Sequence, residues 1–381
     1  MRRSGLSRII CGLTLLPAAA CAQPWLTQEG DRWVRIYHDI AAAKPRLRIN
    51  AHGPVTLEGG VSTGFEYTVK LSVRARSREQ ARALLEKAGT VRAESQNEWY
   101  VLTTPGGEVT ATVTVRGPHL REAIVTSSDG AVEAYGIDGA LTVDTGSDQV
   151  KADRIHGDCS LATGGGDIHV GSVDGVLRCT TGAGSITAKA AHEVVLRTSG
   201  GDISALTVSG SARVETGGGT VHLGYIEGPV TAINGGGPII VDQATGIVTT
   251  RDMAGAVTVH QAAGIRCDSA NGGIQLGRIS GPMRVSTAVG NIVANLVGSR
   301  LAESYLATGN GDITVLIPSN VGVRISAENQ MADSLRRILS DFREIQPHLN
   351  GMHLVADGRL NGGGPLLQLS ASSGTIFLKR Q

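Results

Sequence analysis

The feature that most constrains this chain is a column of eleven β-branched residues at nearly constant spacing. Aligned on the residue that opens each glycine-rich cluster, the openings fall at Ser127, Thr145, Thr163, Thr181, Thr198, Thr216, Asn234, Asp252, Ser269, Thr287 and Thr308. The intervals are 17 or 18 residues, with one of 21 at the end. Five residues after each opening stands a valine or isoleucine, from Val132 and Val150 through Ile186 and Ile239 to Ile313. Such residues suit a pleated, half-buried surface. Within one unit the apolar positions alternate, as in Ile168 and Val170, then Val173, then Leu177 and Cys179, with Gly175 marking a second bend. Alternation broken by glycine specifies strand and turn rather than helix.

A unit this short cannot bury its own apolar face, so consecutive units must stack and share one core. The expected fold is all-β: a single-stranded parallel β-solenoid of about 18 residues per turn, with a small mixed N-terminal cap and a C-terminal helical insertion. Eleven turns at the usual strand spacing span roughly 50 Å. The composition agrees, since 52 glycines and 3% aromatics beside 41% hydrophobic residues suit a narrow interior. The eighteen-residue turn also fits three hexapeptides of a left-handed β-helix, but the apolar offsets are uneven, which leaves handedness open.

Residues 1–22 read as an export signal, with Arg2, Arg3 and Arg8 before a short apolar run and Ala20-Cys21-Ala22 at the cleavage position. The run is too short to span a bilayer as a helix. Lipidation of Cys21 is the rival reading, and Ala18 stands where that signal prefers leucine. Cleavage removes three arginines and no acid, taking the formal charge from +1 to −2. A near-neutral chain gives no electrostatic reason to expect a nucleic-acid partner. The chain is expected to be exported to the periplasm, the outer surface or the medium, with no transmembrane segment in the mature protein.

Residues 23–120 are expected to form a strand-rich cap with one short helix. Phe65, Tyr67, Val69, Leu71 and Val73 alternate with polar residues, and Val109, Ala111, Val113 and Val115 make a second strand. Between them Ser77 and Gln80 form a capping box, Ala81, Leu84, Leu85 and Ala88 a helical stripe, and Gly89 a stop. Residues 121–326 hold the solenoid repeats. Residues 327–381 should contain a second helix through Met331, Leu335, Ile338, Leu339 and Phe342, framed by Asn329 and Pro347, followed by closing strands.

Several site chemistries fail on spacing. A calcium nonapeptide repeat needs an aspartate in both halves of every turn, whereas only Asp167, Asp202 and Asp312 precede the β-branched column. A phosphate loop needs a helix after its glycines, and strand follows here. His169 and His222 lie three turns apart, roughly 14 Å by strand spacing, too far to share zinc. Cys159 and Cys179 should stack against Leu177 and Leu161, leaving their α-carbons about 8 Å apart and beyond comfortable disulfide reach. No cofactor or metal is expected. One outward stripe, Arg178, Arg197 and Arg213, with Thr231, Thr249 and Arg284 further along, suggests a weakly basic track for an acidic glycan or envelope polymer.

The openings TGGGDI, TSGGDI and TGNGDI, the VTVRGPH strand, the IPSNVGVRISAEN segment and the closing NGGGPLLQLSASSGTIFLKR resemble the bacterial "putative adhesin" family of exported β-solenoid domains of unknown function, over residues 45–381. The resemblance implies an extracytoplasmic β-solenoid without an assigned catalytic residue, and no functional residue carries over from it. The leading expectation is a non-enzymatic, adhesin-like protein of the cell envelope whose partner is an envelope protein or polysaccharide. The alternatives are a polysaccharide lyase or hydrolase on a parallel β-helix, and an envelope sensor or scaffold. The turns hold only Tyr135, Tyr225 and Tyr305 as aromatic platforms, few for an enzyme acting on sugar rings.

Overall fold

One turn of the chain consists of two short strands and two bends, and each strand lies parallel to its counterpart one turn away. In the computed structural model, which describes residues 26–297, 301–331 and 337–381, Val150–Ile155 and Cys159–Thr163 make one such turn. It stacks on Ile168–Thr181, with Val150 opposite Ile168 and Cys159 opposite Leu177. The result is an all-β parallel solenoid of about eleven turns with about 18 residues per turn. Parallel pairing follows because the chain returns to the same corner in the same direction each time round.

The β-branched column is the spine of the core. Ile168, Ile186, Ile203, Val221 and Ile239 lie in direct register. The column continues past both ends of the readable repeat, to Val55 and Val113 on one side and to Ile376 and Ile338 on the other. No member is more than 1% exposed. Removing each such side chain from water contributes about 1.5–3 kcal/mol, which is how a solenoid with almost no aromatic core holds together.

The corner residues are buried as well, for a polar reason. Thr163 donates its hydroxyl to the Asp148 carbonyl of the previous turn at 2.9 Å and accepts the Gly166 N–H at 3.2 Å. Thr181 repeats this with Gly166 and Gly184, and Thr198 with Gly184 and Gly201. Each of these three hydroxyls therefore ties its own corner to the one before it. The glycines after it are there for closeness. A Cβ on Gly164 would lie 2.0 Å from the Gly146 carbonyl oxygen, and one on Gly166 would lie 2.1 Å from that of Asp148, while Gly165 has nothing within 4 Å. None of the three has a left-handed backbone, so stacking distance, rather than an unusual φ, requires glycine at the first and third positions.

The ends of the stack do not follow chain order. Arg46–Ala51 lies between Glu122–Ser127 and Trp99–Thr103, so the outermost turn is contributed by residues later in the chain. Beyond it Phe65–Arg74 pairs antiparallel with Thr110–Arg116 and Arg32–Ala41. The helix Arg78–Ala88 packs there by Ala81 and Leu85; the Ser77 hydroxyl accepts the Gln80 N–H and Gly89 follows with φ of 102°. At the other end Leu366–Ala371 inserts between Ser304–Asn310 and Val323–Asn329, and His353–Leu360 closes antiparallel on the last of these.

The helix expected around Met331 to Phe342 is corrected in part. Ile338–Ser340 is a strand, paired in parallel with Ile376–Leu378. Apolar spacing suited a helix, but Ile376 offered an open edge at the height where Ile338 completes the buried column. Leu335 lies outside the described residues, as does the expected export signal with Cys21. Among the described residues no helix is long and apolar enough to cross a membrane.

Candidate binding surface

Alternate residues on each strand face outward, and the ladder stacks them into columns as regular as the buried ones. The residue three before each opening forms one such column: Ser160, Arg178, Val195, Arg213, Thr231 and Thr249, then Arg266, Arg284, Tyr305 and Gln368. Arg178 and Arg213 stand in it with Val195 between them. Arg197 does not, because it lies one position before its opening, opposite Glu215, with its Nε 3.5 Å from the Glu215 carboxylate. The three arginines therefore share a face but not a column.

The same column holds a closer pair. Arg266 and Arg284 are directly opposite one another on adjacent strands, separated by the strand spacing of roughly 4.8 Å. Neither makes an ion pair or side-chain hydrogen bond among the described residues. They line a groove of about 330 Å³ together with Ile247, Glu303, Tyr305 and Gln368. The groove forms where the 21-residue interval adds chain between Ile292–Leu296 and Ser304–Asn310 and brings Glu303 beside the column. Arg266 was legible, since it keeps the same three-residue offset as Arg178 and Arg213. A 17-residue interval before it hides the repeat when spacing is counted from one arginine to the next.

Elsewhere the parallel ladders set opposite charges on facing positions. Lys151 lies 3.1 Å from Glu133, Arg46 lies 3.3 Å from Glu122, and Arg116 lies 3.4 Å from Glu58. Pairs of this kind relieve the cost of stacking charges at strand distance, and the Arg266–Arg284 pair lacks that relief.

His169 faces outward between Lys151 and Thr187. His222 meets Asp242, its Nε2 lying 2.9 Å from one carboxylate oxygen, while His260 Nδ1 lies 3.2 Å from the other. The carboxylate thus ties two imidazoles across successive turns. His156 Nδ1 lies 2.7 Å from Asp174, and that hydrogen bond raises its pKa above the ordinary histidine value. Among the described residues no cluster of three or more His, Cys, Asp or Glu is placed to hold a metal ion.

Cys159, Cys179 and Cys267 are free and buried, with Cys159 opposite Leu177 and Cys179 opposite Leu161. Burial pushes the Cys159 thiol up to about 12 and the Cys267 thiol up to about 11, and drives Cys179 well above its usual value. The thiolate is the nucleophile and metal ligand, so these three are core residues.

No family model matches the chain, and no curated protein matches it. Solved structures similar to it include a "putative cell adhesion protein" from Clostridium sporogenes, 10% identical over 91% of this chain and 100% of that one, with a TM-score of 0.20. A "putative adhesin" from Parabacteroides merdae is 14% identical over 74% of this chain and 95% of that one, with a TM-score of 0.26. A "putative lipid binding protein" from Parabacteroides distasonis is 13% identical over 75% and 97%, with a TM-score of 0.24.

Proposed function

We propose that this chain acts outside the cytoplasm as a non-catalytic, adhesin-like solenoid, its outward columns serving as a surface for adhesion or cell-envelope assembly. The observation that carries the reading is the regularity of those columns. Side chains of one column repeat at the strand spacing over many turns, a geometry that matches an extended partner better than a small molecule. The basic, apolar and small-residue order of the first 22 residues supports export. The test is retention of separated envelope protein and polysaccharide fractions on the purified, exported chain. Retention of a protein or of intact polymer supports the reading. Polymer released in shortened form overturns it in favour of a lyase or hydrolase.

A further inference from the structure

We propose that the groove over Arg266 and Arg284 binds a carboxylate-bearing sugar unit of an acidic polysaccharide, the guanidinium pair taking the carboxylate and Tyr305 the face of the ring. The inference rests on the binding-surface reading above and names the chemical class of its ligand. Two arginines on facing positions one strand apart repel each other, and among the described residues no side-chain acid pairs with either of them. A carboxylate seated between them removes that repulsion and accepts from both forks at once, the geometry for which arginine is better suited than lysine.

The rest of the lining selects within the anions. Glu303 faces the same groove, so the ionised groups among its described lining residues sum to one positive charge, which balances a single carboxylate and disfavours a phosphate dianion. Glu303 and Gln368 supply acceptors, and Gln368 a donor, for ring hydroxyls. Tyr305 is the next residue of the arginine column and one of only three aromatics in residues 127–326. An aromatic face beside paired cations is of little use to an acidic peptide and of direct use to a sugar ring. Ile247, 40% exposed at the rim, adds apolar surface. The column runs on through Thr249 on one side and Gln368 on the other, so a polymer has room to leave the groove along the solenoid.

The test is calorimetric titration of the full chain with oligogalacturonate, its neutral methyl ester and poly-aspartate. Oligogalacturonate is expected to bind and the other two to bind at least tenfold more weakly. R266Q and R284Q should each weaken oligogalacturonate binding about tenfold, the size of one lost charge-assisted hydrogen-bonding group. Y305A should weaken it for the sugar but leave the poly-aspartate signal unchanged. R92Q, at an exposed arginine of the N-terminal strand Arg92–Gln96 and outside the column, should bind as the unaltered chain does, and no variant should melt below it, since R266Q and R284Q each remove a like-charge contact. No binding of oligogalacturonate, equal binding of the ester, or full binding by R266Q/R284Q overturns the proposal. If R266Q/R284Q still retains envelope polymer, the groove assignment falls and the adhesion reading stands. If the unaltered chain binds the oligomer but retains nothing from the envelope, the adhesion reading falls and the groove stands.

Discussion

At the scale of single residues, the most informative position is Asp252. It occupies the corner column between Asn234 and Ser269, where the side chains of Thr181, Thr216 and Asn234 each donate to the carbonyl fifteen residues earlier, at 2.8, 2.9 and 2.8 Å. An ionised aspartate has no proton to donate. One oxygen of Asp252 accepts the Gly255 N–H, while the other, Oδ1, is buried without a hydrogen-bond partner among the described residues. Burial raises the Asp252 pKa above the ordinary aspartate value, opposed by the N–H groups of Gly255 and Met253. With its folded-state pKa raised, the group's stabilisation is fully present below the unfolded aspartate pKa and is lost as pH rises through the folded value. Asp252→Asn supplies a permanent donor, as Asn234 does one turn earlier. It is expected to stabilise the protein at pH 8 by about 1–3 kcal/mol, the usual cost of an unsatisfied buried group. The gain should shrink towards zero at pH 3 if melting temperatures are compared across that range. An equal gain at both ends would mean that Asp252 is ionised throughout.

At the scale of the element, the corner decides which glycines are replaceable. Gly166→Ala drives a methyl group to 2.1 Å from the Asp148 carbonyl oxygen, whereas Gly165→Ala meets nothing within 4 Å. The first should force neighbouring turns apart and cost several kcal/mol, in the range of overpacked cores; the second should stay within about 0.5 kcal/mol. Chemical denaturation of both variants checks this, and equal midpoints would mean that the corners are not stacked as described. Strand identity was legible wherever apolar alternation repeated from turn to turn. It was not legible at Ile338–Ser340, where Ile338, Leu339 and Phe342 carry helical spacing. Phe342 and Ile338 are buried while Met331 and Leu339 are exposed; the partner, an edge at Ile376, was what three residues could not announce.

At the scale of the whole molecule, the stack is nearly one-dimensional, since each turn touches little beyond its neighbours. Its ends are the exposed edges that such a fold has to manage. Both are closed by a turn taken out of chain order, with Arg46–Ala51 inside Trp99–Thr103 and Leu366–Ala371 inside Val323–Asn329. Removing residues 366–381 therefore takes away an inner turn rather than a loose tail. Hydrogen exchange followed by mass spectrometry should then show Ile338–Ser340, which pairs with Ile376–Leu378, losing protection by an order of magnitude or more, while Val132 to Ile239 exchange unchanged. Protection retained at Ile338–Ser340 would mean that this strand has a partner other than Ile376–Leu378. The sequence by itself determined the turn length, the buried column, the corner glycines and the diagonal cysteines, because spatial neighbours in a solenoid lie one period apart and a period can be counted. Only the tertiary structure decided the threading of the two ends, the strand at Ile338, and the meeting of Arg266, Arg284 and Tyr305 with Glu303 and Gln368. Those contacts depend on which edge is left open when chain segments that share no period come together.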